Sequence, residues 1–386
     1  MTVTGPQGFR AAGIAAGIKA SGALDFTLVV NDGPLDVAAG VFTRNVIKAA
    51  PVLWSQEVLK QQRLKAVVLN SGGANAATGP GGFQDTHATA EKVAEVLHTG
   101  AIEVAVCSTG LIGERLPMDA VLSGVDTAVK ALDASDEASL NAARGVMTTD
   151  TKPKQAFAKA ESGWSVGGFA KGAGMLAPNL ATMLSVLTTD AVVSKEALDR
   201  ALRSATHVTF DRLDVDGGTS TNDTVLVLAS GASGVEPTDA ELTELLTRVS
   251  LDLVLQLRAD SEGATKDVNV TVQGAESETD AIAVARTIAE DNLVKTALFG
   301  SDPNWGRIAM ALGRVPARID PEQVSITING VTLFAQGMPA ADRTEADLTG
   351  RAIEIVVDLN VGGEAATIYT TDLSHGYVEE NSAYSS

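Results

Sequence analysis

The chain is short of cysteine, aromatic rings and positive charge. There is one cysteine, Cys107, so no intrachain disulfide can form, which fits a reducing compartment. Aromatic residues are 4% of the total, so the core must be built from Ala, Val, Leu and Ile. Lys and Arg number 29 against 48 Asp and Glu, a formal net charge of −19. Such a field repels phosphate backbones and argues against nucleic acid as a partner. No uninterrupted apolar run of about 18 residues occurs, so no membrane-spanning helix is expected. The start, MTVTGPQGFRAAGI, lacks the apolar stretch of a secretory signal, and the expected location is the cytoplasm. The four histidines, His87, His98, His207 and His375, have no metal-ligand spacing, and no cysteine pair supports zinc.

What is present is an ordinary globular balance, 45% hydrophobic and 20% charged over 386 residues, with 37 glycines for tight turns and close backbone approaches. Strands are expected at 23–32, at 65–70, at 102–108 and in two stretches around 163–175 and 185–193. Helices are expected after Pro51, over the segment FQDTHATAEKVAEVLHTG with Gly100 as its C-terminal cap, over most of 117–146, and at 194–206, 239–257 and 279–298. In the tail, SITINGVTLF and AIEIVVDLNV alternate apolar and polar. Ile353, Ile355, Val357 and Leu359 share one face at period two, and GGEA reads as a turn into ATIYTTDL. Strands and helices mix without regular βαβ alternation. The expected class is α/β of the α+β type, with mixed, largely antiparallel sheets covered by helices. A domain border is expected near 270–280, where AESETD precedes a helix.

The segment KGAGMLAPNLATML carries the sharpest chemical signal. Thr182 follows a Pro178-Asn179 turn and the small Ala181, whose carbonyl stays open to attack. The ordinary reading is a packed strand threonine. The alternative is self-cleavage between Ala181 and Thr182, which frees an α-amine with a reference pKa of about 7.7–8.0. Such an amine can serve as base for the hydroxyl of its own residue. In CSTGLIGE, Thr109 and Gly110 end a strand. They read either as a routine turn or as donors to an oxyanion, where one donor is typically worth about 2.7–4 kcal/mol of barrier. Cys107 beside them reads as a buried small residue. The loop SGGANAATGPGG follows a strand as phosphate-cradling loops do, but lacks the GxxxxGK[ST] pattern.

The ordered strings GFRAAGIAAGIKASG, VFTRNVIKAAPV, CSTGLIGERLPMD, MTTDTKPK, KGAGMLAPNLATML, DSEGATK, SDPNWGRI and ENSAYSS run over nearly the full chain. Together they closely resemble the glutamate N-acetyltransferase / ornithine acetyltransferase family of arginine biosynthesis. One departure lies in the glycine-rich loop, where Gly73 and Ala77 stand in place of the Asn and Cys expected from the family. The resemblance implies stacked mixed sheets between helical layers. It also implies self-cleavage into an α chain, 1–181, and a β chain, 182–386, the latter with a smaller C-terminal subdomain from about 275. Two of each chain are expected to assemble.

By the same resemblance, Thr182 is the nucleophile, and Thr109 and Gly110 stabilise the oxyanion. Thr148 (or its neighbours Thr149 and Thr151, should the register differ), Lys171, Glu262, Asn381 and Ser386 contact substrate, with Lys171 facing the α-carboxylate. The implied reaction moves the acetyl group of N2-acetyl-L-ornithine to L-glutamate through an acetyl-Thr182 ester, releasing ornithine. It needs no metal or organic cofactor, and acetyl-CoA is an optional co-substrate. The rivals are a self-cleaving aminopeptidase, with water as acceptor, and a non-catalytic small-molecule binding protein with a merely structural Thr182.

Overall fold

The computed structural model describes residues 2–176 and 183–383. Ala181, Thr182 and Ser386 lie outside the described residues. The chain divides into two units, Met1–Asp211 with Gly218–Leu257, and Arg212–Gly217 with Arg258–Ser386. The longer segment of the second unit starts at Arg258, upstream of the 270–280 region read from the sequence.

The first unit contains β1 (Phe9–Ile14), β2 (Phe26–Asn31), β3 (Val37–Phe42), α1 (Ala50–Val58), β4 (Ala66–Ser71), α2 (Gly79–Leu97), β5 (Val104–Thr109), α3 (Met118–Lys130), α4 (Asp136–Arg144), β6 (Lys154–Lys159), β7 (Ser165–Lys171), β8 (Leu184–Thr189), α5 (Lys195–Val208), β9 (Thr224–Ala229) and α6 (Asp239–Ala259). Its strands form two sheets, β1-β2-β4-β5 and β3-β9-β8-β7-β6. The pairs β4–β5 and β8–β9 are parallel, and the other pairs in these two sheets are antiparallel. One apolar cluster joins Phe26, Leu28, Val67 and Leu69 of the first sheet to Phe169, Leu184 and Leu226 of the second. Helices flank the strands: α3 and α4 pack on β1 and β2, α1 on β5 and α5 on β3. Strands β2, β4, β5, β7, β8 and β9 consequently bury every residue. The edge strand β5 is closed by α1, where the Ser55 hydroxyl donates to the Val106 carbonyl and accepts from its N–H, at 2.7 and 3.0 Å.

The second unit contains β10 (Asp267–Ala275), α7 (Glu278–Ala289), α8 (Asn292–Phe299), α9 (Trp305–Leu312), β11 (Ser325–Ile328), β12 (Val331–Ala335), β13 (Met338–Pro339), β14 (Ala352–Asp358), β15 (Glu364–Thr371) and α10 (His375–Ala383). Its sheet runs β13-β12-β11-β14-β10-β15, with α7 packed on β10 and β15. Ile353, Ile355, Val357 and Leu359 are fully buried, as the period-two pattern requires.

Three expectations need correction. β14 and β15 do not form a hairpin across GGEA, because β10 lies between them, parallel to β14 and antiparallel to β15. The 279–298 helix is two helices. Asp291 leaves helical geometry at ψ 117°, and its carboxylate accepts from the N–H groups of Leu293 and Val294 to start α8. Gly100 does not cap α2; His98 takes the left-handed position at φ 55°. After β15 the chain continues into α10. Among the described residues no helix is long and apolar enough to cross a membrane.

Candidate active site

In the first unit, chemistry collects where strands end. β7 ends on Lys171 and β5 on Thr109, and both side chains are almost completely buried, at 2% and 1% exposure. The Lys171 ammonium donates to the Thr109 hydroxyl at 3.2 Å and to the Thr148 hydroxyl at 2.9 Å. An ammonium has donors only, so both hydroxyls accept from it and keep their own O–H to offer elsewhere. Of the three candidate threonines in MTTDTKPK, it is Thr148 that meets Lys171. Thr149 is half-buried and Thr151 exposed.

The charge of Lys171 is answered by a residue the sequence analysis did not single out. Asp150 lies 3.9 Å from the Lys171 ammonium and 2.5 Å from that of Lys154, itself buried. Its oxygens also accept from the N–H groups of Gly172 and Thr148, at 2.7 and 3.0 Å. Burial alone would raise this carboxyl. The charges of Lys171 and Lys154, with the Lys154 hydrogen bond, outweigh burial and hold it at about 2. The i, i+4 spacing of Asp150 and Lys154 in TTDTKPK is the one available signal, but it reads as a solvated loop until β6 and β7 bring both groups inside.

Gly110 is glycine for two reasons. Its φ is +129°, and a Cβ there would lie 2.5 Å from the Gly73 nitrogen. The glycine-rich loop is therefore the bed for the Thr109-Gly110 turn. Gly73 N–H donates to the Thr109 carbonyl at 3.1 Å, and Ala74 N–H to that of Leu111 at 2.8 Å. These N–H groups are spent on the turn and are not free to cradle a phosphate. Gly73, where the family pattern leads one to expect Asn, would place a Cβ 2.7 Å from a Leu116 methyl, so a larger residue needs Leu116 to move. Burial pushes the Cys107 thiol up to about 12, consistent with packing rather than nucleophilic duty.

The ladder brings the end of β7 opposite the start of β8, with Lys171 facing Leu184. Leu184 is two residues after Thr182 in the chain. Met183 N–H donates to Asp223 at 3.1 Å and the Met183 carbonyl accepts from Thr224 N–H at 3.0 Å. Asp223 is wholly buried, and burial, only partly opposed by the Met183 N–H and by Lys171, holds its carboxyl well above the ordinary range. Ala74, Thr109, Gly110, Met175, Thr221 and Asn222 line a small recess here.

In the second unit, Glu262 and Asn381 come together, the Asn381 amide donating to the carboxylate at 2.9 Å. Gly263 makes this possible. It sits at φ +61°, and a Cβ there would meet the Tyr377 nitrogen at 2.1 Å, so only glycine lets the first turn of α10 approach. Ser374 ties the two together, donating to the Gly263 carbonyl at 2.5 Å and accepting from the Tyr377 N–H at 3.1 Å.

A family model described as ArgJ matches residues 10–386, nearly the whole chain. The chain belongs to the ArgJ family. ArgJ relatives of similar length include the arginine biosynthesis bifunctional protein ArgJ of Mycolicibacterium paratuberculosis, 62% identical over 389 residues that cover 100% of this chain and 96% of that protein. The protein of the same name from Streptomyces avermitilis is 58% identical over 386 residues, covering 100% of both. Among solved structures, the ornithine acetyltransferase of Mycobacterium tuberculosis complexed with ornithine is 61% identical, with 47% of this chain and 96% of that chain covered and a TM-score of 0.46.

Proposed function

We propose that this ArgJ family chain is a self-processing acetyltransferase that carries the acetyl group of N2-acetyl-L-ornithine to L-glutamate. In the processing step the Thr182 hydroxyl attacks the Ala181 carbonyl carbon and the peptide becomes an ester. Water then hydrolyses the ester, leaving Ala181 as a carboxylate and Thr182 as a free α-amine. In turnover that amine takes the hydroxyl proton as the Thr182 oxygen attacks the acetyl carbonyl. Thr109 and Gly110 donate to the oxyanion, ornithine leaves with the proton, and acetyl-Thr182 remains. The α-amine of glutamate attacks this ester, releasing N-acetylglutamate and restoring the threonine.

The observation that carries the reading is the buried Lys171 donating to two threonine hydroxyls, Thr109 and Thr148, on the strand end that faces the start of β8. A hydroxyl that must accept from an ammonium is left to donate, which is what a developing oxyanion needs. Family membership over nearly the full chain supports the reaction class. In this reading Lys171 receives the substrate α-carboxylate, and Thr148, Glu262, Asn381 and Ser386 are further substrate contacts that the family resemblance implies. The reaction uses no metal or organic cofactor, and acetyl-CoA is a second acetyl donor to glutamate. The cleaved chains stay together as two of each, in the cytoplasm.

The deciding experiment combines mass spectrometry of the purified protein with an acetyl-transfer assay. Two fragments, 1–181 and 182–386, are expected, and ornithine release should require glutamate. Ornithine appearing equally fast without glutamate would make the protein a hydrolase. Thr182→Ala is expected to stay intact and inactive, and robust transfer by that variant would refute the nucleophile. Substituting acetyl-CoA for acetylornithine tests the second donor, and sizing of the cleaved protein tests the assembly.

A further inference from the structure

Asn222 and Asp223 stand side by side just ahead of β9, and each spends its side chain on a different strand end. The Asn222 amide donates to the carbonyls of Ala74 and Ser108, at 2.7 and 2.8 Å, while its oxygen accepts from the Thr221 hydroxyl at 2.6 Å. Ser108 immediately precedes Thr109, and Ala74 belongs to the loop that beds the Thr109-Gly110 turn. Asp223 turns to the other strand, accepting the Met183 N–H. Its main-chain carbonyl accepts from Thr43 N–H at 2.9 Å, so the residue is held from both sides.

The ladder itself needs neither side chain, because β8 and β9 are already registered as a parallel pair from Leu184 opposite Thr224 onward. Asp223 is moreover an expensive residue to place there. It has no exposed surface, and burial holds its carboxyl well above the ordinary range. Taking a carboxyl out of water costs stability. Two adjacent polar residues that bridge the oxyanion turn to the segment carrying the nucleophile account for that cost.

We infer that Asn222 and Asp223 are a positioning pair: Asn222 holds the Thr109-Gly110 turn, Asp223 holds the peptide just after Thr182, and their adjacency in one backbone sets the spacing between oxyanion donors and nucleophile. The inference rests on the reading of Thr182 as nucleophile. It adds two residues that touch neither substrate nor reacting atoms, yet govern how well those atoms meet. Orientation of this kind appears in turnover rather than in substrate affinity, since a misplacement of about 1 Å can cost about 100-fold in rate.

The test is the steady-state kinetics of acetylornithine-to-glutamate transfer, with gel-monitored self-cleavage, for wild type, Asp223→Ala, Asp223→Asn and Asn222→Ala. Asp223→Ala is expected to lower kcat about 100-fold and to slow cleavage, with KM for acetylornithine changed less than about threefold. Asp223→Asn keeps a carbonyl oxygen for the Met183 N–H and is expected to recover kcat to within about tenfold of wild type. Asn222→Ala should lower kcat by about tenfold or more at the same KM. If Asp223→Ala does not accumulate folded, the other two variants decide. Wild-type kcat in Asp223→Ala or Asn222→Ala, a loss confined to KM, or an Asp223→Asn variant at least 100-fold below wild type overturns the pair. A wild type without acetyl transfer overturns the functional reading and this inference with it. A wild type that transfers acetyl while both positions tolerate alanine overturns the inference alone.

Discussion

Strands β2, β4, β5, β8 and β9 of the first unit bury all six of their residues, whereas β11 and β14 of the second bury every other one. The difference follows from what covers each sheet. In the first unit the two sheets share an apolar cluster and helices pack against their strands, so neither face of a central strand meets water. In the second unit one face of the sheet packs its apolar side chains and the other stays wet, as the Thr271–Thr367 and Asn269–Glu354 pairs on half-buried or exposed positions show. A polar side chain on the wet face of the second sheet has water as a partner. In the first it must find a protein group, and Lys171, Thr109, Asp150 and Lys154 do so by pairing with one another. The doubly buried unit thus concentrates reactive groups in a small dry space, while the half-buried sheet leaves its polar face in water.

The harshest way to break this contrast is to remove a cation from the dry cluster. Lys171→Met deletes the donor shared by Thr109 and Thr148 and half the charge facing Asp150. Breaking a buried pair costs about 3–5 kcal/mol, so denaturant unfolding should show a loss of that order, together with near-complete loss of acetyl transfer. Wild-type stability would mean that Lys154 alone suffices. Next in size is a purely apolar truncation in the second sheet. Ile355 is fully buried, and Ile355→Ala is expected to cost about 2–5 kcal/mol, read by thermal or denaturant melting, with kcat unchanged in the folded fraction.

A smaller effect comes from acid. The Asp150 carboxyl is lowered from 3.8 to about 2, so its contribution is fully present above pH 3.8 and is lost as pH falls through 2. The amount is on the order of 2 kcal/mol. Unfolding free energies measured down to pH 2 should therefore fall less steeply for Asp150→Asn than for wild type. An identical slope would remove Asp150 from the ionised cluster. The smallest effect is expected on the wet face of the second sheet. Thr271→Ala breaks the cross-strand pair with Thr367 and should cost at most about 1 kcal/mol. A larger loss would mean that this face is not solvated.

The same contrast explains how legible each region was. In AIEIVVDL the alternation is written into the residues, and Ile353, Ile355 and Val357 are buried as it demands. In the first unit, KAVVLN and IEVAVCS announce buried strands by composition, but nothing in them tells which polar residue at a strand end faces another. Asp150 and Lys154 read as a solvated loop, and Asn222 and Asp223 carry no local signal, because groups that hold them inside lie far along the chain: Gly172 for Asp150, Met183 for Asp223, and Ser108 and Ala74 for Asn222. The helix break at Asp291 was a local capping signal that the apolar run on both sides concealed.

Local chemistry, taken residue by residue, determined a good deal about this protein. The strand and helix content, the period-two face of β14, the turn at Thr109-Gly110 and the ordered strings of the ArgJ family all depend on neighbours a few positions apart, which the chain carries with it wherever it folds. Tertiary structure alone decided the insertion of β10 between β14 and β15, and the meeting of Lys171 with Thr109, Thr148 and Asp150. It alone decided the bridging of two strand ends by Asn222 and Asp223. These contacts join residues from distant parts of the chain, and their energy appears only after both sheets have closed and water has been expelled from between them.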